Sequence, residues 1–166
     1  MKITDDIAQA FENQITLELE AAMTYRQLAI EMDAQSLPGM ATWFRTQADE
    51  EVTHAQRFID HVVDRGGRPV IGAIPACTPL QNSTPLAAFR AALEHEERVS
   101  AAIRELYSTT ESAGDWDARP LLNEFVAEQI EEEATVSEIL SSIERVGDDG
   151  PGLLRLDDSL ATRAEA

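Results

Sequence analysis

The stretch ADEEVTHAQRF, residues 48–58, decides the fold of this chain. Extended outward, its apolar positions recur every three or four residues: Met40, Phe44, Gln47, Glu51, His54, Phe58, Val62. That period is one face of an amphipathic helix. The segment opens at Pro38 and stops at Gly66-Gly67, a first-turn proline and a C-terminal glycine signal. Glu51 and His54 fall in the middle of the apolar stripe. They lie one turn apart on the same face, where hydrocarbon belongs. A carboxylate and an imidazole in that place need a partner, because an isolated buried charge is strongly disfavoured.

Three further long segments carry the same signature. The first runs from about Asp5 to Met32, with Thr4 as a candidate N-cap and acids in the first turn. Its stripe is Ile7, Phe11, Gln14, Glu18, Ala21, Tyr25, Leu28, Met32. The third begins at Ser83-Thr84-Pro85 and runs to about Ser112, with Phe89, Leu93, Glu96, Val99, Ile103, Leu106 as its stripe. The fourth runs from about Trp116 to Val146, and Pro120 makes its first turn irregular. Its stripe is Leu122, Phe125, Gln129, Glu132, Val136, Ile139, Ile143. One glutamate on an apolar stripe is commonly a snorkelling side chain. Carboxylates at matching depth on four helices are a different matter, since together in one core they repel. A shared pair of divalent cations turns each of them into a ligand. Glutamate and imidazole suit iron and manganese, zinc is also compatible, and no thiolate is offered.

The connections set the topology. Short breaks at residues 36–39 and 113–115 make two antiparallel helix pairs. Residues 66–84 hold Pro69, Pro75, Pro79 and Cys77, lack helical period, and are long enough to travel the length of a bundle. The expectation is an all-α, ferritin-like four-helix bundle with one long crossover between helices two and three. After Gly150-Pro151-Gly152, a short fifth helix is expected over about 152–163, with Leu153, Leu154, Leu156 and Leu160 along one side. The chain reads as one domain, residues 1–166, with the bundle over about 5–146.

Composition supports this and excludes other classes. The 166 residues are 43% hydrophobic but only 5% aromatic, and the formal net charge is −18. Lys2 is the only lysine. Such a chain repels nucleic acid and anionic lipid, and attracts cations. Cys77 is the only cysteine, so no intrachain disulfide forms, which fits a reducing compartment. There is no apolar signal core and no run of 18 apolar residues, so a cytoplasmic protein without a membrane anchor is expected.

The strings LELEAAMTY from Leu17, ADEEVTHAQRF from Ala48, ALEHEERV from Ala92 and AEQIEEEA from Ala127 resemble the four metal-binding helices of non-haem bacterial-type ferritins. The resemblance covers nearly the whole chain. It implies that Glu18, Glu51 and His54 bind a first iron, that Glu51 bridges, and that Glu96 with Glu132 holds a second. Glu94 is the near alternative to Glu96. It also implies that Gln129 lies beside the oxygen-binding position and that Tyr25 supplies an extra electron. Glu50, Glu128 and Glu131, with Glu132, match a third iron site.

The departures are informative. Bacterioferritins and rubrerythrins carry a second E-x-x-H on the fourth helix; here Glu128 is followed by Glu131, and Glu132 by Thr135. The second-helix methionine of haem-binding relatives is missing, so no haem is expected. One cysteine cannot build a rubredoxin-type domain. His61 and His95 are expected at a surface or interface rather than as ligands. The implied function is an iron-storage subunit. It oxidises Fe(II) with O2 at a di-iron ferroxidase centre inside one subunit and deposits ferric mineral in a cage of 24 copies. The short last helix would gather at fourfold axes of that cage. A non-storing di-iron oxidase or peroxidase is the alternative within the same superfamily, and an acidic helical interaction module is the alternative outside it.

Overall fold

The computed structural model describes residues 2–163. Five α-helices form in chain order: α1 Asp5–Ala34, α2 Pro38–Asp64, α3 Pro85–Ser112, α4 Arg119–Val146 and α5 Gly150–Arg163. A single 3-10 turn, Trp116–Ala118, precedes α4, which is the irregularity expected from Pro120. The four long helices have 27 to 30 residues, hence lengths of about 40 to 45 Å. α1 packs along α2 and α3 along α4, and the seam between α1 and α3 joins the pairs.

Local chemistry explains the ends. The Thr84 side chain accepts a hydrogen bond from the Ala87 amide at 3.2 Å, a true N-cap. Thr4, expected to do the same for α1, makes no side-chain cap bond; only its carbonyl takes part, accepting from Ala8. α2 ends in a Schellman turn, with Gly66 N–H on the Val63 carbonyl and Gly67 N–H on that of Val62, both at 2.9 Å. Gly66 stands at φ +76°, which disfavours any residue with a side chain.

The crossover, residues 65–84, lies along α1. Gly72 N–H donates to Thr16 Oγ1 at 2.8 Å, Cys77 Sγ to the Met23 carbonyl at 3.4 Å, and Ser83 Oγ to Glu31 Oε2 at 2.5 Å. Contacts at residues 16, 23 and 31 mark a strap running the length of the helix. It reverses the chain so that α3 starts at the end where α2 began.

The interior divides into two apolar clusters. One joins Leu28, Met32, Met40, Trp43, Phe44, Phe89 and Ile139 with their neighbours. The other joins Ile7, Phe11, Phe58, Ile103, Leu122 and Phe125 with theirs. Between them lies a layer of buried polar side chains.

α5 departs from expectation in two ways. It starts at Gly150, before the break read at Gly150-Pro151-Gly152, because Asp149 caps it. The Asp149 carboxylate accepts from Gly152 N–H at 3.1 Å and its carbonyl from Leu153 N–H at 2.9 Å, leaving Pro151 in the first turn, where it is tolerated. More importantly, α5 is anchored in its own subunit. Leu160 is buried in the first apolar cluster, and Leu153 and Leu156 pack against that cluster; of the four leucines only Leu154 is well exposed. Asp157, itself buried, accepts from the first-turn amides of α2, Gly39 N–H at 3.1 Å and Met40 N–H at 2.7 Å. Exposed amides and the helix dipole both favour a carboxylate there. Gly39 permits the approach, since a Cβ at that position would lie 1.9 Å from the Asp157 carbonyl oxygen.

Asp157→Ala should therefore destabilise the subunit by about 1–2 kcal/mol, the size of a lost helix cap, and should loosen α5 first. Urea unfolding together with hydrogen exchange of residues 150–163 measures both effects. Unchanged stability and exchange would show that the leucines alone hold α5.

Candidate metal centre

The polar layer is built from one turn of each long helix. Glu18 (0% exposed), Glu51 (5%), His54 (5%) and Glu96 (1%) are buried, as is Gln129, and Glu132 is half-buried. Glu94, the alternative to Glu96, is exposed. Glu18, Glu51 and His54 each present a ligand atom within 4.8 Å of the other two, the one such trio of acidic, histidine or cysteine side chains among the described residues. Aromatic rings bound the layer on both sides. Tyr25 and Phe44 lie on one side with centroids 6.0 Å apart, and Phe125 lies edge-on to His54 at 5.3 Å on the other.

Hydrogen bonds orient these groups unequally. Gln14 Nε2 donates to Glu18 Oε1 at 2.7 Å, while Glu18 Oε2 is buried and receives no amide or hydroxyl; the Glu51 carboxyl lies within hydrogen-bond reach of Glu18, a contact that only a proton can make favourable. Glu96 has donors on both oxygens: the Tyr25 hydroxyl on Oε1 and Gln129 Nε2 on Oε2, the latter at 3.1 Å. Gln129 is steadied by Ser100 Oγ at 3.2 Å. His54 lies between two carboxylates, with Nδ1 3.2 Å from Glu51 and Nε2 3.3 Å from Glu128.

The electrostatics follow. Burial, and then the Glu51 charge, hold the Glu18 carboxyl well above its ordinary range. The same causes raise Glu96 to about 7. Burial and the charges of Glu96, Glu50 and Glu51 raise Glu132 to about 8. Burial works against a charged His54, but its hydrogen bonds to Glu128 and Glu51, with the nearby carboxylate charges, outweigh this and raise it to about 11. The Tyr25 phenol is pushed far up by burial and by Glu96 and Glu51, so it stays protonated. Without a cation, the layer neutralises itself with protons. A buried oxygen on Glu18 without a donor, Glu51 and His54 beside it, and carboxyls held protonated are what a divalent cation would relieve. The donor set of oxygens and one imidazole fits iron.

The residues matched to a third iron site are less closely gathered. Glu50 is exposed, accepts from Gln47, and its charge reaches Glu132. Glu128 is half-buried and turned to His54 and Arg57, the latter at 3.1 Å. Glu131 is exposed and makes no hydrogen bond or ion pair with the others among the described residues.

His95 is a correction. Expected at a surface or interface, it is 4% exposed within the chain, edge-on to Tyr25 at 6.3 Å, with Nδ1 accepting from Arg98 at 2.6 Å. α3 buries a second row, Ala88, Ala92, His95 and Val99, because its small alanines admit a close neighbour; Leu93, placed on the stripe, is only half-buried. His61 is half-buried against the Phe11 ring at 4.9 Å. Gln14, Ser100 and Arg57 were not read as parts of the site. Only Gln14 left a signal, a polar residue on the stripe one turn before Glu18.

Residues 8–146 match the model of the ferritin-like domain family. The chain is 31% identical to the bacterial non-heme ferritin of Bacteroides fragilis over 161 residues, 97% of this chain and 99% of the relative. It is 30% identical to that of Staphylococcus aureus, with 97% and 96% coverage. Among solved structures it superposes on an open-pore ferritin of the hyperthermophilic archaeon Archaeoglobus fulgidus with a TM-score of 0.93. There the identity is 34%, over 97% of this chain and 98% of the other. No helix among the described residues is long and apolar enough to cross a membrane.

The raised pKa values fix a pH dependence. A carboxyl raised in the folded state contributes stability that is full below its ordinary 4.5 and is lost as pH rises through about 7 for Glu96 and about 8 for Glu132. His54 loses in the same direction between 6.5 and about 11. His95, held down at about 4 by burial and Arg98, has given its full opposite contribution by 6.5. The metal-free protein should therefore become less stable from pH 6.5 to 8. A divalent cation, binding the deprotonated ligands, should raise Tm more at the upper end. Thermal melts with and without Co(II) under anaerobic conditions test this. A metal-free Tm that is flat or rising, with a pH-independent Co(II) increment, would contradict it.

Proposed function

The chain belongs to the ferritin family, and from that premise we propose that each subunit takes up two Fe(II) ions as substrate, oxidises them with O2, and passes Fe(III) to a mineral store. The observation that carries this reading is the buried layer itself: four carboxylates and an imidazole at one depth, with Glu18 Oε2 left without a partner.

Glu18, Glu51 and His54 would hold the first ion, and Glu96 with Glu132 the second, with Glu51 shared. Each ion would give up one electron, the two electrons with two protons reducing O2 to hydrogen peroxide, and hydrolysis of Fe(III) releases protons. The chain supplies the geometry and the proton traffic. His54 would surrender its Nδ1 proton, the one facing Glu51, when an ion arrives, while Glu128 at Nε2, held below the usual carboxylate range by that bond, keeps the other N–H and fixes the ring. Gln129 steadies Glu96 beside the position proposed for oxygen. Tyr25, hydrogen-bonded to Glu96, is placed to donate an electron through a ligand. The aromatic rings on both sides keep bulk water from the layer. Carboxylates suit turnover, because they bind by one or two oxygens as the ion changes charge and leaves.

Storage needs a closed shell, and closed shells need symmetric copies. A homo-oligomeric cage of 24 subunits, without haem, is part of the proposal. Glu50, Glu128 and Glu131 with Glu132 are proposed as a third iron position on the outer edge of the layer. A single cysteine fits a cytoplasmic setting.

Glu18→Ala should slow the fast phase of Fe(II) oxidation by more than tenfold, since even a lost outer partner costs about 10–100-fold in metal affinity. The fold should remain, and the metal-free variant should be as stable as the wild type or more so, because a buried, incompletely hydrogen-bonded carboxyl beside Glu51 has been removed. Stopped-flow oxidation at the wild-type rate would overturn the assignment. Analytical ultracentrifugation tests the cage: the particle should sediment with twenty-four times the 18.3 kDa subunit mass. A monomer or dimer that binds iron but does not accumulate it would favour an oxidase instead.

A further inference from the structure

Glu18 and Glu96 are the two fully buried carboxylates of the layer other than the shared Glu51, and their surroundings differ. Glu96 is closed at both oxygens, by the Tyr25 hydroxyl and by the Gln129 amide. Glu18 is closed at one only. Gln14, one turn earlier on α1 and 3% exposed, donates its amide to Oε1 at 2.7 Å and leaves Oε2 buried with no amide or hydroxyl donor, on the Glu51 side of the layer. We propose that Gln14 is a positioning residue for the first metal position: it pins one oxygen of Glu18 and presents the other as a one-oxygen ligand. The proposal rests on the reading that Glu18, Glu51 and His54 receive the ion.

Three observations support the assignment. The bond is intrahelical, at i and i+4 on a rigid segment deep in the bundle, so its geometry is fixed before any ion arrives. The donor is a neutral amide. A lysine or arginine there would neutralise Glu18 and compete with the incoming cation, and an apolar side chain would leave Oε1 a second buried orphan. With both oxygens free, the carboxylate could turn or chelate with both; the amide removes that choice. Finally, Gln14 makes no other side-chain hydrogen bond among the described residues, and it holds its place on the apolar stripe against the preference for hydrocarbon there.

The test is anaerobic titration of the assembled protein with Co(II), followed by calorimetry and by the visible absorption of the bound ion, for wild type, Gln14→Leu, Gln14→Met and Glu18→Ala. Both Gln14 variants keep side-chain bulk and remove the donor. The expected result is an approximately tenfold weaker first binding step, the lower end for loss of an outer-shell partner. An altered Co(II) band should accompany it, with the second step, helix content and particle size retained. Wild-type affinity and band in a folded Gln14 variant would overturn the proposal. Equal weakening of both steps would also overturn it, because that is general loosening of the bundle. If Gln14→Leu does not fold, Gln14→Met, with its flexible unbranched chain, gives the same reading. The Glu18→Ala arm separates the two levels: if it titrates like wild type, the metal-site reading itself fails, whereas if it loses the first step and the Gln14 variants do not, only the positioning role is lost.

Discussion

Carboxylates do not stay ionised and unpaired inside a helical bundle, and this bundle buries Glu18, Glu51 and Glu96 at one depth with Glu132 half-buried beside them. Everything else in the architecture accommodates that layer. Helices of 27 to 30 residues are long enough to build an apolar cluster on each side of it, so the bundle is held at both ends and can tolerate a polar middle. The aromatic content is low, yet the rings are concentrated at the layer's borders: Phe58 and Phe125 stack at 4.1 Å below it, and Phe44 and Phe89 pack at 4.6 Å above it. Rigid flanks keep four acids in register where a softer core would let them turn toward water.

A second buried acid, Asp157, solves the same problem without a cation. It is satisfied by two backbone amides at the start of α2. The contrast is instructive. A carboxylate with two fixed N–H donors has no remaining demand and serves as a fastener. Glu18, with one side-chain donor and one empty oxygen, still has such a demand. Donor count, more than burial, separates Asp157 from Glu18.

Much of this was legible in the sequence because helices translate spacing into faces. Glu18, Glu51, His54 and Glu96 interrupt apolar stripes, and burial follows from the stripe. The boundaries were legible through Pro38, Gly66-Gly67 and Thr84-Pro85, whose backbone preferences act locally. What remained hidden depends on contacts that periodicity does not encode. Asp157 looks like a solvent-facing acid in a polar turn of a short helix, and its partner Gly39 is 118 residues away. His95 looked external because a stripe one residue wide misses the second row that small alanines open on α3. The apolar side of α5 was legible, but not whether its leucines faced their own bundle. Which oxygen of a glutamate is occupied, and by which amide, is a rotamer question and leaves no mark in residue order.

The kinds of donor around the layer complete the argument. Glu18 and Glu96 receive their hydrogen bonds from neutral groups: two glutamine amides and a tyrosine hydroxyl. The arginines stay at the rim, where Arg57 pairs with Glu124 and Glu128, Arg98 with Glu20, and Arg104 with Glu133. Among the described residues, none of the four layer carboxylates is paired with an arginine or lysine. A permanent cation at the centre would have made a stable salt bridge and an inert core. Neutral donors fix the carboxylates without discharging them, so the positive charge at the centre is the proton of His54 together with those the carboxyls retain. Protons are exchangeable charges. A layer neutralised by them can be re-neutralised by a small divalent ion with little rearrangement, and can take the protons back when the ion leaves.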